Sequence, residues 1–223
     1  MKIKVLIAVL IFGISLAVLN IRVYAYDDGD FQVWNTDTEE FKINNDTKMV
    51  WEEEFRWGDD SREFYYHHYD LGFSFNLKKY LSVAGGYRHV LSLQANKWKI
   101  ENEPYVSATL SGAFKGLPLD TRSRIEYRHF DYKADSWRYR NKFTVKLPWK
   151  FTALNIQPYI SDEIFVIFGG TCQFNQNRIS CGLGTDITRN VKAEVYYLLD
   201  SSKNSKGKWT DANVLGTKLK ITF

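Results

Sequence analysis

The fold is decided by the last nine residues of the sequence, Leu215-Gly-Thr-Lys-Leu-Lys-Ile-Thr-Phe223. Successive side chains of an extended strand point to opposite faces. One face of this stretch is apolar apart from a threonine, and the other carries Lys218 and Lys220. An apolar face, a cationic face and a terminal Phe223 are typical of the strand that closes a bacterial outer-membrane β-barrel. The stretch therefore predicts a membrane barrel.

The N-terminal region has the pattern of an export signal. Two lysines precede an apolar run over residues 5–19, and Val23-Tyr24-Ala25 offers small residues at the positions that a signal peptidase reads. We therefore predict a cleaved signal peptide over residues 1–25 and a barrel over residues 26–223. An uncleaved membrane anchor is the alternative, because the run is near the lower length limit for a spanning helix.

Composition narrows the possible partners and folds. The chain has 30 Lys and Arg against 26 Asp and Glu, and removal of three basic residues with the signal leaves 27 against 26. This balance gives no argument for nucleic-acid binding.

Aromatic residues make up 16% of the chain, yet the mean hydropathy is negative. A membrane barrel explains both, since only alternate strand residues face lipid. A water-soluble barrel or sandwich, with its apolar face turned inward, is the alternative.

Alternating segments separated by turn residues predict ten strands. They are residues 47–58, 63–77, 81–93, 98–114, 117–130, 136–147, 154–167, 177–188, 191–200 and 211–223. Residues 26–46 have an uncertain pairing, and they either add two short strands or enter the lumen. Because bacterial membrane barrels have even strand numbers, we expect ten or twelve strands. The turns at the Phe223 end should be shorter than the loops at the opposite end.

Charge assigns the two faces of these strands. Charged side chains are costly on the lipid face, so the charged face should line the interior. The residues predicted to line the lumen are Glu52, Glu54, Arg88, Glu101, Glu103, Arg122, Arg124, Glu126, Arg128, Arg138, Arg140, Glu163, Lys218 and Lys220. Opposed arginines and glutamates can pair across strands and fill a narrow barrel. A narrow channel that favours anions through the arginines is the alternative.

Outward aromatic residues are predicted to form two membrane belts, because aromatic side chains anchor barrels at both bilayer interfaces. The belt residues are Trp57, Trp98, Tyr127, Trp137 and Tyr139 at the longer-loop end and Phe223 at the other. Glu53 and Asp162 interrupt the outward face. A β-bulge beside either residue would turn its side chain inward.

Cys172 and Cys181 are the two cysteines of the chain. An exported protein folds in an oxidising compartment, which favours a disulfide. A hairpin turn at Gln176-Asn177 would place the two residues directly opposite each other, with Cβ atoms about 4.5–5.5 Å apart. Two unpaired thiols are the alternative, and two cysteines alone do not predict a metal site.

The sequence predicts no catalytic residue and no cofactor, because it has no Gly-rich phosphate loop and no zinc-ligand cluster. Outer-membrane acyl hydrolases place a serine beside a histidine so that the serine can attack an ester. His67 and His129 share the outward phase near the outer rim, but no serine lies convincingly opposite either. A lipid-acting hydrolase is therefore the alternative to a non-enzymatic barrel.

Several stretches resemble one family of proteins. They are Phe31-Gln-Val-Trp34, Trp51-Glu-Glu-Glu-Phe-Arg56, Gly86-Tyr-Arg88, Arg122-Ser-Arg-Ile-Glu-Tyr-Arg128, Trp137-Arg-Tyr-Arg140, Pro158-Tyr159, Glu163-Ile-Phe165, Glu194-Val-Tyr-Tyr197 and Phe223. With them the chain resembles the bacterial outer-membrane barrels known as domain of unknown function 2490. The resemblance implies a barrel of unassigned activity and supplies no catalytic residues. The two cysteines stand outside its pattern.

Together these observations predict an all-β protein, a transmembrane antiparallel up-and-down barrel in the bacterial outer membrane. We expect it to be a small pore or a structural component with a charged lumen. Its expected partners are outer-membrane lipid and, through the C-terminal strand, the barrel-assembly machinery.

Overall fold

Alternating polar and apolar side chains extend into eleven strands in the computed structural model, which describes residues 28–149, 155–169, 172–204 and 207–223. The strands are β1 Asp30–Lys42, β2 Thr47–Gly58, β3 Glu63–Lys78, β4 Leu81–Gln94, β5 Lys97–Phe114, β6 Leu117–Phe130, β7 Ser136–Lys146, β8 Gln157–Phe168, β9 Gln173–Asp186, β10 Val191–Lys203 and β11 Trp209–Thr222. The predicted signal peptide over residues 1–25 lies outside the described residues. Within the described ranges, no helix is long and apolar enough to span a membrane.

The strands form one closed barrel in which each strand pairs antiparallel with its neighbours in the chain. The ring is closed by β1 and β11, which run parallel to each other from Asp30 opposite Ala212 to Glu40 opposite Thr222. Closure pairs both sides of every strand, so the sheet has no open edge that could pair with another chain. The predicted all-β barrel is confirmed.

The predicted strand number of ten or twelve is wrong, because the barrel has eleven strands. All ten predicted strands are present, and residues 30–42 add a single strand instead of a pair. This strand, β1, pairs antiparallel with β2 on one side and parallel with β11 on the other. A closed barrel needs an even number of strands only when every neighbouring pair is antiparallel. One parallel pair therefore allows an odd number.

The two ends of the barrel do not differ in loop length as predicted. Both ends have tight turns: Ala95 and Asn96 have φ angles of 48° and 59°, and Lys115 and Gly116 have 49° and 81°. Two consecutive positive φ angles give the type I′ geometry that suits two-residue hairpins. The longest connection, residues 147–156 between β7 and β8, lies at the Phe223 end. Loop length therefore does not orient the barrel.

The predicted disulfide is wrong, because Cys172 and Cys181 are both free. Gln176 and Asn177 do not form a turn but lie in the middle of β9, where they pair with β8 and β10. Cys172 immediately precedes this strand and Cys181 lies within it. Nine residues of extended chain separate their Cα atoms by roughly 30 Å, far beyond the ~7 Å that a disulfide can bridge.

Glu53 and Asp162 remain on the outward face, since no bulge adjoins either residue. The register shifts occur instead at Arg56/Trp57, at Asn76/Lys78 and at Phe165/Val166. Asp162 accepts a hydrogen bond of 2.6 Å from the side chain of Asn177. Glu53 accepts one of 2.8 Å from Nε1 of Trp51. Hydrogen bonds along the outer surface therefore accompany these two carboxylates.

Three tyrosines lie flat over glycines on the neighbouring strand. Tyr105 is paired with Gly86, Tyr159 with Gly182 and Tyr196 with Gly216. A Cβ atom added at Gly216 would lie 2.0 Å from Cζ of Tyr196, which leaves no room for it. An aromatic ring over a strand glycine covers the exposed backbone and fixes the register of the pair.

We expect Gly216→Ala to destabilise the barrel by at least ~1–3 kcal/mol, the usual range for overpacking, because its methyl group would displace the Tyr196 ring. The measurement is the temperature at which the purified protein loses its folded gel mobility. Gly112→Ala is the matched control, since nothing lies within 4 Å of a Cβ added at Gly112. Equal stability of the two variants would contradict the proposed role of the ring.

Candidate functional site

The lumen is the candidate functional site, because the inward faces of the strands gather most of the charged side chains. The space left between them is a cavity of about 700 Å³. Twelve of the fourteen predicted lumen residues line it: Glu52, Glu54, Arg88, Glu101, Glu103, Arg122, Arg128, Arg138, Arg140, Glu163, Lys218 and Lys220. The other two, Arg124 and Glu126, are buried behind the lining at 8% and 0% exposure.

A network of ion pairs begins on β2, β3 and β4. Glu54 pairs with Arg56 on its own strand and lies 3.9 Å from Nδ1 of His68. Nε2 of His68 lies 3.3 Å from Glu52, whose carboxylate also pairs with Arg88 at 3.2 Å. Arg88 then donates through Nε to Asp70 at 3.0 Å. The network so far connects three neighbouring strands.

The network continues over β5, β6, β7 and β8. Glu126 pairs with both Arg138 and Arg140, the second at 3.0 Å. Arg138 reaches Glu103 on β5 at 2.6 Å. Arg140 reaches Glu163 on β8 at 2.9 Å. The guanidinium groups therefore bridge strands that are not hydrogen-bonded to each other.

Arg124 joins the two parts of the network. Its Nη1 lies 3.7 Å from Asp70 and 3.8 Å from Glu126, and its guanidinium stacks 3.8 Å from the ring of Tyr105. The hydroxyl of Tyr105 donates to Asp70 at 2.7 Å. Arg124 is the least well satisfied member, because neither its Nε nor its Nη1 has a hydrogen-bond acceptor.

The connected network contains equal numbers of opposite charges. Its seven arginines are Arg56, Arg88, Arg122, Arg124, Arg128, Arg138 and Arg140. Its seven acids are Glu52, Glu54, Asp70, Glu101, Glu103, Glu126 and Glu163. Buried charges are tolerated when they are paired. The charges of the network therefore compensate one another in the crowded interior.

A layer of stacked cations and aromatic rings crosses the lumen, and we call it the transverse layer. Arg56 lies 3.7 Å from the Trp34 ring and 4.0 Å from the Tyr66 ring. Arg178 also lies 4.8 Å from the Trp34 ring, and it lies 4.9 Å from the ring of Phe165. The contacts connect β3, β2, β1, β9 and β8.

The transverse layer is tightly packed. Trp34 is 2% exposed and Phe165 is 1% exposed, although both side chains project into the lumen. A passage wide enough for water at this level would expose their rings. Arg178 is held by a 3.2 Å pair with Asp200 on β10. The layer therefore packs across the lumen in the half of the barrel where β1 begins.

Several residues of this site were missed in the sequence. They are Trp34, Arg56, Tyr66, His68, Asp70, Tyr105, Phe165, Arg178 and Asp200. The alternation of side chains along a strand is enough to place Arg56, His68 and Asp70 on the lumen face. Arg56 lies two residues after Glu54 on the same strand, and His68 and Asp70 are paired with Glu54 and Glu52 on the neighbouring strand. Arg178 was not predicted to line the lumen, because the polar residues Gln176 and Asn177 before it were interpreted as a turn. Trp34 could not be placed without the pairing of β1.

The predicted belt residues lie at the ends of the barrel. Trp98, Trp137 and Phe223 are 43%, 45% and 60% exposed. At the end where β1 begins, Trp57 and Trp98 both contact Phe64, with ring centroids 5.5 Å and 5.7 Å apart. In the same half, Tyr127 and Trp137 lie 5.1 Å apart, and Tyr139 lies near them with its hydroxyl 3.1 Å from Oγ of Ser123. At the opposite end Phe223 stacks on Phe41 at 4.9 Å.

The histidines on the outer face have aromatic or acidic neighbours. His67 packs against Phe64 and Trp98, both with ring centroids 5.4 Å away. His129 lies 3.0 Å from Asp135 in the loop after β6. Hydrogen bonds from His129, from Tyr127 and from the Phe130 amide lower the pKa of Asp135 to about 2. In the described part of the chain, no serine hydroxyl hydrogen-bonds to a histidine.

We expect Glu126→Gln to destabilise the barrel by about 3–5 kcal/mol, because it leaves Arg138 and Arg140 buried without their shared counter-charge. The measurement is the free energy of unfolding in urea, followed by tryptophan fluorescence. Asp186→Asn is the matched control, because Asp186 pairs with Lys192 at the surface, where both side chains are more than half exposed. The control should lose at most ~1 kcal/mol. A loss below 1 kcal/mol in Glu126→Gln would contradict the importance of the network.

Comparison with known proteins identifies a family and no activity. No curated protein and no solved structure matches the chain. Among the described residues, no group of three or more His, Cys, Asp or Glu side chains could hold a metal ion. A family model described as Protein of unknown function (DUF2490) matches residues 31–211, from the first residues of β1 to the beginning of β11. The resemblance seen in the sequence is thereby confirmed, and the chain, a closed β-barrel, belongs to this family of proteins of unknown function.

Proposed function

We propose that the protein is a non-enzymatic structural component of the bacterial outer membrane, a barrel whose charged lumen is occluded. It is exported with a signal peptide over residues 1–25, and it inserts in lipid as a closed barrel. The C-terminal strand is the segment that the assembly machinery would bind. The observation that carries this proposal is the inverted distribution of polar and apolar side chains.

The inverted distribution is clear in the burial of the described side chains. Among them, the buried residues include eight hydrophobic ones and fourteen polar or charged ones. Large apolar side chains such as Leu71, Phe73, Val106, Ile160 and Leu183 are between 41% and 62% exposed. A water-soluble barrel buries its apolar face, and a membrane barrel exposes it to lipid. This contrast favours the membrane.

The aromatic residues at the two ends support the same proposal. Trp and Tyr side chains sit comfortably at the boundary between lipid and water, where one part of the ring system is apolar and another is wet. The outward rings around Phe64 occupy one end of the barrel, and Phe41 and Phe223 occupy the other. The aliphatic surface between them would be the band in contact with lipid tails.

A structural role agrees better with the lumen than an open pore does. The ion-pair network and the transverse layer extend across the interior around a cavity of about 700 Å³, and Trp34, Phe165 and Glu126 are almost inaccessible to water. Sustained ion flow would require these side chains to separate. No arrangement in the described residues supports the hydrolase alternative at His67 or His129.

Cell fractionation tests the membrane location. We expect the protein to sediment with the outer membrane, to resist extraction by salt and carbonate, and to shift its gel mobility on heating in detergent. The shift is expected because a folded barrel binds less detergent than the unfolded chain. Release into the soluble fraction without detergent would contradict a membrane barrel.

Planar bilayers test the occlusion. We expect no reproducible current steps from the wild-type protein, because the transverse layer blocks the lumen. A double variant, Trp34→Ala with Arg178→Ala, removes the centre of this layer and should give measurable current. Heat-modifiable mobility of the variant serves as its folding control. Regular, long-lived steps from the wild-type protein would overturn the occluded state and leave a pore.

A further inference from the structure

We propose that the half of the lumen nearer Phe223 holds a binding site for a small phosphate-type anion, formed by Arg122, Lys142 and Lys218. The proposal depends on the geometry of the lumen and not on the membrane location. Fractionation and binding experiments can therefore fail independently of each other.

The strand register places the donors side by side. Thr109 on β5 is opposite Arg122 on β6, and Arg122 is opposite Lys142 on β7. All three side chains line the cavity. Lys218 lines the same cavity from β11, which is four strands away from β7 in the ring of eleven. The four donors therefore line one cavity from two separate parts of its wall.

Two of the three cations in this region, Lys142 and Lys218, lie outside the ion-pair network. Neither Lys142 nor Lys218 lies within 4 Å of a carboxylate in the described residues, and their two positive charges repel each other across the lumen. Arg122 has a single ion pair, at 3.5 Å, and its side chain is 37% exposed. Two lysines without a direct carboxylate partner and one partly exposed arginine therefore lie together beside the balanced part of the network.

The two nearby carboxylates accept hydrogen bonds from other side chains, a cationic donor for Glu163 and a neutral one for Glu194. Glu163 is opposite Lys142 but accepts hydrogen bonds from Arg140 at 2.9 and 3.2 Å. Glu194 is opposite Lys218 but accepts one from the hydroxyl of Tyr159 at 3.1 Å. An incoming anion would therefore find ammonium groups whose charge is not compensated by a direct partner.

The types of donor fit a phosphate group. A guanidinium presents parallel N–H donors that match two phosphate oxygens, while an ammonium binds phosphate as a point charge. The hydroxyls of Thr109 and Thr144 add neutral donors to the same wall. Three cations around a polyvalent anion would relieve the repulsion between Lys142 and Lys218.

The ligand would enter from the end that includes Phe223. The transverse layer packs across the other half, whereas the cavity lining continues toward this end to Thr109, Asp120 and Lys220. Lys220 pairs with Glu40, and Asp120 lies 3.7 Å from Lys146. The mouth of the cavity is thus lined by charged pairs, and the uncompensated cations lie further inside.

Calorimetry with the purified full-length protein in zwitterionic detergent tests the site. Inorganic phosphate and glycerol phosphate are titrated separately at constant ionic strength, with chloride as the competing anion. We expect one saturable site per barrel for at least one of them. The ratio of the two affinities shows whether the site prefers the bare ion or a phosphate carried on an organic group.

Substitutions connect the binding to the proposed residues. Lys142→Met and Lys218→Met should each weaken the affinity about tenfold or more, because each removes a charge-assisted hydrogen bond to the anion. Lys97→Met is the matched control, because Lys97 is exposed in the turn region at the opposite end of the barrel. Heat-modifiable mobility verifies folding. No saturable binding, or equal binding by all variants, would overturn the proposal.

Discussion

The balance of seven arginines against seven acids in the connected ion-pair network is the constraint on which the rest of the structure depends. Charges removed from water are stable only when they are paired, so each guanidinium must reach a carboxylate, often across an intervening strand. These contacts require the strands to keep one register. They also require the side chains to alternate strictly, which places the apolar residues on the outside. The interior chemistry and the apolar exterior are therefore two results of one pattern.

The outer surface is apolar but not uniformly so. Asp37 on β1 is directly opposite Glu53 on β2, and both face outward near the closing pair of strands. Asn35 donates to Asp37 at 2.9 Å, and Thr217 on β11 donates to Asn35 at 2.7 Å. Ionisable groups at membrane depth are costly and often functional. This polar strip coincides with the closure of the barrel, where parallel pairing replaces antiparallel pairing.

Local sequence patterns predict most of the strands of this fold. They do not predict the pairing between strands that are far apart in the sequence. Alternation located ten strands, and the cost of charge in lipid assigned the lumen side of Arg88, Glu126 and Arg140. The partner of β1 could not be predicted, because its pairing with β11 joins residues about 180 positions apart and leaves no local signal. The turn expected at Gln176-Asn177 failed for a related reason. Polar residues in mid-strand look like a turn unless their charged partners across the lumen are known.

The parallel closure also limits how the chain could be rearranged. In an all-antiparallel barrel with an even strand count, the first strand begins and the last strand ends at the same rim, and a short linker can join them. Here β1 begins at one rim and β11 ends at the other, and their paired region covers eleven residues, or about 36 Å. A circular permutant would need a connector of that length, outside the wall or through the filled lumen. A circular permutation is therefore harder to accommodate in this barrel than in one with an even number of strands.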